Sequence, residues 1–333
     1  MSRNRRANYV QLRGLKYVAL AYVVAVPFAL RPLAFADTVS TPSLLHRANV
    51  TVKVTPVLTK ASAPRIRLVT LSHSQLSVTF TAPSSNGGSP ITGYDYSLDG
   101  GRTWRSTSQT KSPLAITGVV DGETYALAIR AVNKVGAGPA STTFPSTRVA
   151  FFGDSVLWGD GAVKVAGWGK QVAQIEQWQQ INFSVRGIGF NKPNATSTSC
   201  VGFKNIPSLL HCATPYKPDI VVISAGVNDC TFVAAHSIQT RTSVETTLSQ
   251  AKALFPRAQI LVTPVVAFTT KPCWNTLNGW IASAAAATGA SYAAQATTWV
   301  LGHTEMQADG VHPNDLGHTE IANRFSAWFE SLP

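Results

Sequence analysis

At 333 residues the chain is long enough for two domains, and with 45% hydrophobic residues it can bury a real core rather than remain disordered. Its formal net charge of +12 does not come from a dense Lys/Arg cluster interleaved with aromatics, which argues against nucleic acid as a partner. Six of the 28 Lys and Arg, and none of the 16 Asp and Glu, lie in residues 1–36, so the rest of the chain carries 22 minus 16, or +6.

Those first residues have the three parts of a secretory signal. Arg3, Arg5, Arg6, Arg13 and Lys16 precede an apolar run from Tyr17 to Leu30, and Ala34-Phe35-Ala36 stands before Asp37. Cleavage after Ala36 is expected, leaving a secreted chain with no stable membrane span. An uncleaved anchor is the alternative, but about 14 apolar residues broken by Pro27 fall short of the ~20 that a spanning helix needs. Arg5-Arg6 opens a twin-arginine pattern, although Asn8 stands where that signal carries an apolar residue. Residues 37–63, rich in Thr, Ser, Pro and Val without helical period, read as a tether.

Residues 64–146 carry short alternating runs between turn clusters. Leu76 to Phe80 (LSVTF) and Tyr125 to Val132 (YALAIRAV) alternate, with turns at Asn86-Gly87-Gly88 and Asp99-Gly100-Gly101. An all-β sandwich is predicted. The runs PSSNGGSPITGYDYSLDGG and TGVVDGETYALAIRAVNKVGAGPAS resemble a bacterial fibronectin type III domain. The resemblance implies a corner tyrosine at Tyr125, a last hairpin at AVNKVGAGPAS, and Phe80 in place of a frequent tryptophan. With no Arg-Gly-Asp tripeptide, and with Tyr94, Tyr96 and Trp104 accounted for as core and hairpin residues, the module reads as a spacer.

Residues 147–333 alternate strands and helices, the pattern of an α/β domain with a parallel sheet between helical layers. Strands are predicted at 149–152, 181–185, 220–224, 259–265 and 291–294. Helices are predicted at 168–178, 241–254, 275–288 and 315–331. Four signatures fall at strand ends or just before the last helix: Gly153-Asp154-Ser155, Gly187, Gly226-Val227-Asn228-Asp229, and Asp309-Gly310-Val311-His312. A serine at the carboxyl edge of such a sheet needs a base, a group to orient the base, and donors for an oxyanion. Ser155, His312 and Asp309 supply nucleophile, base and orienter, with Asp309 and His312 close enough for one turn to carry both.

In this order the signatures resemble the SGNH (GDSL-type) serine hydrolases, which implies a flavodoxin-like three-layer α/β/α sheet over nearly all of residues 148–331. No G-x-S-x-G elbow is present, so the α/β-hydrolase pattern does not fit. The resemblance assigns the oxyanion hole to the backbone N–H groups of Ser155 and Gly187 and the side-chain amide of Asn228. Gly189 is a rival to Gly187, but the family places its glycine five residues after a strand-borne asparagine, and Asn182 selects Gly187. Arg186 departs from the small residue usual there, which makes the entrance more crowded or more cationic.

Asp154 and Asp229 are rival carboxylates, better read as bonding their own loops. His318 reads as structural, and His303 is uncommitted. The chemistry calls for no cofactor. A metal at His211, Cys212 and Cys200 is disfavoured, because exported cysteines are more often bridged. Cys200, Cys212, Cys230 and Cys273 allow three pairings; Cys200 with Cys212 and Cys230 with Cys273 is the expected one, the second tying the Asn228 loop to the loop after the fourth strand.

Loops 156–167 and 267–280 are expected to flank the acyl and alcohol sites. Their mix of Leu157, Trp158, Val165, Trp274 and Trp280 with few charges suits short acyl esters on a sugar or small alcohol as well as lipid. The leading expectation is a secreted serine hydrolase of short acyl or acetyl esters, held near an acylated polysaccharide by the sandwich and losing activity as His312 takes up a proton. A lipase or acyltransferase on the same triad is one alternative, and a non-catalytic cell-surface binding protein is another.

Overall fold

The computed structural model describes residues 56–194 and 204–333. The first described part is a β-sandwich. Strands β1 (Arg65–Ser72), β2 (Gln75–Thr81), β3 (Ile91–Ser97), β4 (Arg105–Ser106), β5 (Leu114–Thr117), β6 (Ala128–Asn133) and β7 (Gly136–Ala140) form two layers, β1-β2-β5 and β4-β3-β6-β7. The cause is the period-2 pattern: in β2, Leu76, Val78 and Phe80 are buried and their neighbours are not. Phe80 meets Tyr94 of the facing layer edge-on, ring centroids 4.5 Å apart.

The end of the expected tether is not loose. Thr59 and Ser62 donate backbone hydrogen bonds to Gly87 and Ser85, the Asn133 amide donates to the Thr59 carbonyl, and Ala61 lies in the core. The packed chain therefore starts before residue 64, because backbone pairing fixed it where composition alone read as linker.

The second part follows with β8 (Arg148–Gly153), α1 (Ser155–Trp158), α2 (Trp168–Ile175), β9 (Gln179–Asn182), α3 (Ile206–Leu209), β10 (Ile220–Ser224), α4 (Cys230–Ala235), α5 (Ser237–Leu254), β11 (Gln259–Val262), α6 (Pro272–Thr288), β12 (Ser291–Tyr292) and α7 (Asp315–Glu330). Five parallel strands run in the order β9-β8-β10-β11-β12, so the chain starts near one edge and winds to the other. Both faces of the central strands are covered. Ala150, Phe152, Val221 and Ile223 pack with Leu248 of α5 and Leu277 of α6, whereas Phe151 and Val222 pack with Trp168 of α2 and Phe325 of α7. That double burial is why these strands read as unbroken apolar runs. Among the described residues no helix is long and apolar enough to cross a membrane.

The sandwich does not hang from this sheet as a spacer, which corrects the sequence expectation. β1 pairs in parallel with β9 through Val69↔Gln179 and Thr70↔Gln180, giving one mixed sheet of eight strands, β12-β11-β10-β8-β9-β1-β2-β5. Leu68 on one face of β1 joins the core beside Val149 and Trp178, while Val69 on the other shares the cluster that contains Leu71 and Ile181. The contact is also polar. His73 N–H donates to the Tyr216 hydroxyl at 3.1 Å, and Arg148 donates to the Gly122 carbonyl at 2.6 Å while bridging Asp219.

Candidate active site

β8 is buried along its whole length and stops at Gly153, where the chain turns into α1. Asp154 caps that short helix, its Oδ1 accepting from Val156 N–H at 3.0 Å, so Ser155 occupies the first helical position at the carboxyl edge of the sheet. Its hydroxyl meets His312 Nε2 at 2.9 Å, and His312 Nδ1 meets Asp309 Oδ2 at 2.7 Å. Ser155, His312 and Asp309, the three residues predicted to act together, are therefore one connected chain.

The turn that holds the last two is self-fixed. Asp309 Oδ1 accepts from the backbone N–H groups of Val311 and His312, Ala308 N–H donates to the His312 carbonyl, and Asn314 caps α7 directly afterwards. The His312 backbone N–H, and then its imidazole, pull the Asp309 carboxyl down to about 2. This carboxylate is exposed, so its grip on the imidazole rests on short hydrogen bonds rather than on burial.

The predicted donors come from two neighbouring loops. Asn228 follows β10, and its amide donates one proton to the Ile188 carbonyl at 2.9 Å; an amide carries two, so one is left. Gly187 has φ +71°, a conformation that favours glycine, and its loop is continuous with Ile188. The rival Gly189 is otherwise engaged: its N–H donates to the Lys192 carbonyl, and a Cβ there would fall on the Asp229 carboxylate.

Asp229 differs from its expectation. It does not bond its own loop but reaches across to the next, accepting from the backbone N–H groups of Phe190 at 2.8 Å and of Asn191 and Lys192 at 2.9 Å each. Burial raises its carboxyl above the usual range, against the pull of those three donors. Sequence reasoning missed this clamp; an aspartate next to Asn228 beside a glycine-rich loop was the available signal. Asp154 does bond its own loop. Its Oδ2 is buried without a hydrogen-bond partner, near the N–H groups of Val227 and Gly226, and burial raises the carboxyl to about 6.

His318 is structural, as expected: buried in α7, it accepts from Trp168 N–H on Nδ1 and so donates from Nε2 to the Asp160 carbonyl. His303 pairs with Glu305, away from the triad. Arg186 is paired with Asp160 at 2.6 Å and lies over the ring of Trp158, 5.6 Å from its centroid, so the cation at the entrance is partly neutralised.

Loop 159–167 does flank the site. A Cβ on Gly161 would crowd His312, and Val163, Lys164 and Val165 donate backbone hydrogen bonds to Asp315. The other loop behaves differently, because Pro272 starts α6 and Trp274 is buried, donating from Nε1 to the Val227 carbonyl at 3.3 Å. Trp274 thus props the Asn228 loop from below instead of lining the mouth. Cys230 and Cys273 are joined as expected, while the pairing of Cys200 with Cys212 lies outside the described residues because of Cys200.

Residues 151–319 match the model of the GDSL-like lipase/acylhydrolase family, and the chain belongs to that family. It is a carboxylic ester hydrolase. Solved structures similar to it include a carbohydrate esterase family 2 enzyme with a carbohydrate-binding domain from Corynascus thermopiles (Myceliophthora fergusii), 17% identical, covering 80% of this chain and 98% of that one with a TM-score of 0.46. An acetyl xylan esterase from the rumen bacterium Butyrivibrio proteoclasticus is 11% identical, covering 82% and 96%, with a TM-score of 0.45. A family two carbohydrate esterase from Cellvibrio japonicus is 15% identical, covering 82% and 96%, with a TM-score of 0.44.

Proposed function

We propose that the chain is a secreted serine hydrolase of short acyl or acetyl esters, carbohydrate esters among them, working through an acyl-enzyme. The observation that carries this reading is the relay Asp309 Oδ2 to His312 Nδ1 at 2.7 Å and His312 Nε2 to Ser155 Oγ at 2.9 Å. Ser155 Oγ attacks the ester carbonyl carbon while His312 Nε2 takes its proton. Asp309 accepts the Nδ1–H bond, fixing the tautomer and offsetting the charge on the imidazolium.

The oxyanion is held by the backbone N–H groups of Ser155 and Gly187 and the free proton of the Asn228 amide. Breaking the ester C–O bond sends the alcohol away with the proton from His312 Nε2. Water then attacks the acyl-serine, gives a proton to His312, and releases the acid with Ser155 restored. Val156 and Leu157, directly after Ser155, are spent on the core, which leaves little depth for a long acyl chain behind the nucleophile.

The framework is read as a flavodoxin-like sheet joined to a fibronectin type III sandwich. Supporting the second part are the layers β1-β2-β5 and β4-β3-β6-β7 and the Tyr125 hydroxyl, which accepts from Val120 N–H five residues upstream at 2.8 Å, the bond of a tyrosine corner. Export is supported by the bridged Cys230 and Cys273.

The test is hydrolysis of p-nitrophenyl esters from acetyl to long acyl by residues 37–333 beside a Ser155→Ala variant. Short-chain activity, reduced by about 10⁴ or more in the variant with folding intact, is the expected result. A long-chain optimum would replace short esters by lipid, and equal rates in the two proteins would remove Ser155 from the chemistry.

A further inference from the structure

The mixed sheet has a consequence for the substrate. β8, β9 and β1 are parallel neighbours in matched register, Asn182 beside Phe151 and Thr70 beside Gln180. All three therefore end at the same edge. Ser155 leaves that edge after β8, and the turn joining β1 to β2 leaves it two strands away, roughly 10 Å at ~4.8 Å per strand.

Against the turn lies a cleft of about 190 Å³, walled by Ser72 at the end of β1, His73 of the turn, Trp158 of α1, Asn182 at the end of β9, Phe183 and Tyr216. Trp158 stands three residues beyond Ser155, on the same short helix, with 44% of its surface exposed.

The turn itself points the same way. His73 and Ser74 form a two-residue connection with φ +47° and +57°, a geometry that normally selects Asn-Gly. Neither residue is glycine, so the backbone pays for keeping side chains there. It is held by the bond from His73 N–H to the Tyr216 hydroxyl and from Ser74 N–H to Asp121. A strained turn pinned against the catalytic domain is an unusual expense for a spacer. Ser72 Oγ meets His73 Nδ1 at 2.8 Å, which leaves Nε2 for a ligand. The Asn182 amide uses its oxygen on Ser184 N–H, and its Nδ2 protons have no partner among the described residues.

We infer that this cleft is the subsite for the alcohol part of the ester and that it takes one neutral sugar ring, with the sandwich supplying one wall; the inference rests on the esterase reading above. No Asp, Glu, Lys or Arg is among the residues that line the cleft, and the nearby cation, Arg186 over the Trp158 ring, is already paired with Asp160, which favours a neutral alcohol. The exposed ring of Trp158 beside Asn182, Ser72 and His73 matches a ring with apolar faces and a hydroxyl rim, whereas a hydrocarbon chain would leave those polar groups without partners. The reacting ester then sits between the Trp158 side and His312, which must reach the departing alcohol oxygen.

The test compares kcat/KM on an O-acetylated methyl glucoside with kcat/KM on ethyl acetate, whose alcohol is too small to fill the cleft. Trp158→Ala should lower the ratio about tenfold, chiefly through the KM of the glucoside, with partial rescue by Trp158→Phe. His73→Gly should lower it in the same direction, and because glycine accepts a positive φ this variant keeps the fold. Unesterified methyl glucoside should show saturation-transfer NMR contacts with the Ser155→Ala protein that weaken when Trp158→Ala is added. Equal losses on both substrates, or selective loss on ethyl hexanoate instead, would overturn the subsite. Full activity in Ser155→Ala would remove Ser155 from the chemistry and with it the placement of the ester beside this cleft, a failure that the binding experiment tells apart.

Discussion

Asp154 sits one residue before the nucleophile and has the least comfortable environment of the site. Fully buried, with Oδ2 unpartnered, its carboxyl is raised from an ordinary 3.8 to about 6. Between these values the folded protein keeps a proton that the unfolded chain has released, so folding stability falls as pH rises through the window and the full cost stands above it. Asparagine keeps the cap on Val156 N–H through its Oδ1 and cannot ionise, although its Nδ2 then faces the N–H groups of Val227 and Gly226, which makes the gain an upper limit. Asp154→Asn should therefore be more stable than the parent at pH 7.5, by up to roughly 3 kcal/mol for a two-unit shift, with the advantage gone near pH 4. Urea denaturation at the two pH values checks this; the same difference at both would mean that no buried charge is relieved. The exposed Asp309 carries the opposite shift and holds its charge well into acid, so Asp154 and Asp309 answer pH in opposite directions.

At the scale of elements, what could be read from the sequence was whatever has a local cause. β10 coincides with its predicted 220–224, since a run buried on both faces is apolar at every position. The sequence pattern carries the second strand to residue 185 and β9 stops at Asn182, although Phe183 and Val185 still donate to the carbonyls of Phe151 and Gly153, so the pattern INFSV reflects real pairing past the strand. Ser155, His312 and Asp309 stand out as candidates because a nucleophile after a buried strand and an Asp-x-x-His turn before the last helix are local patterns, and hydrogen bonds join the three; Gly187 and Asn228 lie in neighbouring loops. The reach of Asp229 into residues 190–192 and the burial of Trp274 are not legible, because both depend on which loops become neighbours. Those loops are also where Cys230 and Cys273 join, closing 43 positions of chain beside Asn228. The bridge, Trp274 and Asp229 thus restrain one loop from three sides. Mild reduction should lower kcat before near-UV circular dichroism reports loss of packing, because Asn228, the proposed oxyanion donor, is released while the core stays closed. Simultaneous loss of both signals would make the bridge a general staple instead.

At the scale of the molecule, the joint sheet turns two sequence domains into one folding problem. Nothing local marks β1 as the neighbour of β9: the pairing is parallel, over 100 residues apart in sequence, and rests on two registered pairs plus side chains that either domain would need for its own core. Removal of the sandwich would take β1 from one side of β9 and leave a bare strand edge, the arrangement that invites pairing with other chains. It would also uncover the Leu68 side of Trp178, take from Tyr216 the hydrogen bond of His73, and leave Arg148 without the Gly122 carbonyl. Water can replace the polar partners, but apolar surface returned to water costs ~25 cal/mol per Å², and a domain has only ~5–15 kcal/mol of net stability to lose. A chain of residues 147–333 alone should accordingly aggregate or unfold well below the melting temperature of residues 37–333, as read by size-exclusion chromatography and thermal denaturation. A soluble, fully active fragment would mean that the sheet seals itself at β9, and that the sandwich adds its strand without holding the catalytic part together.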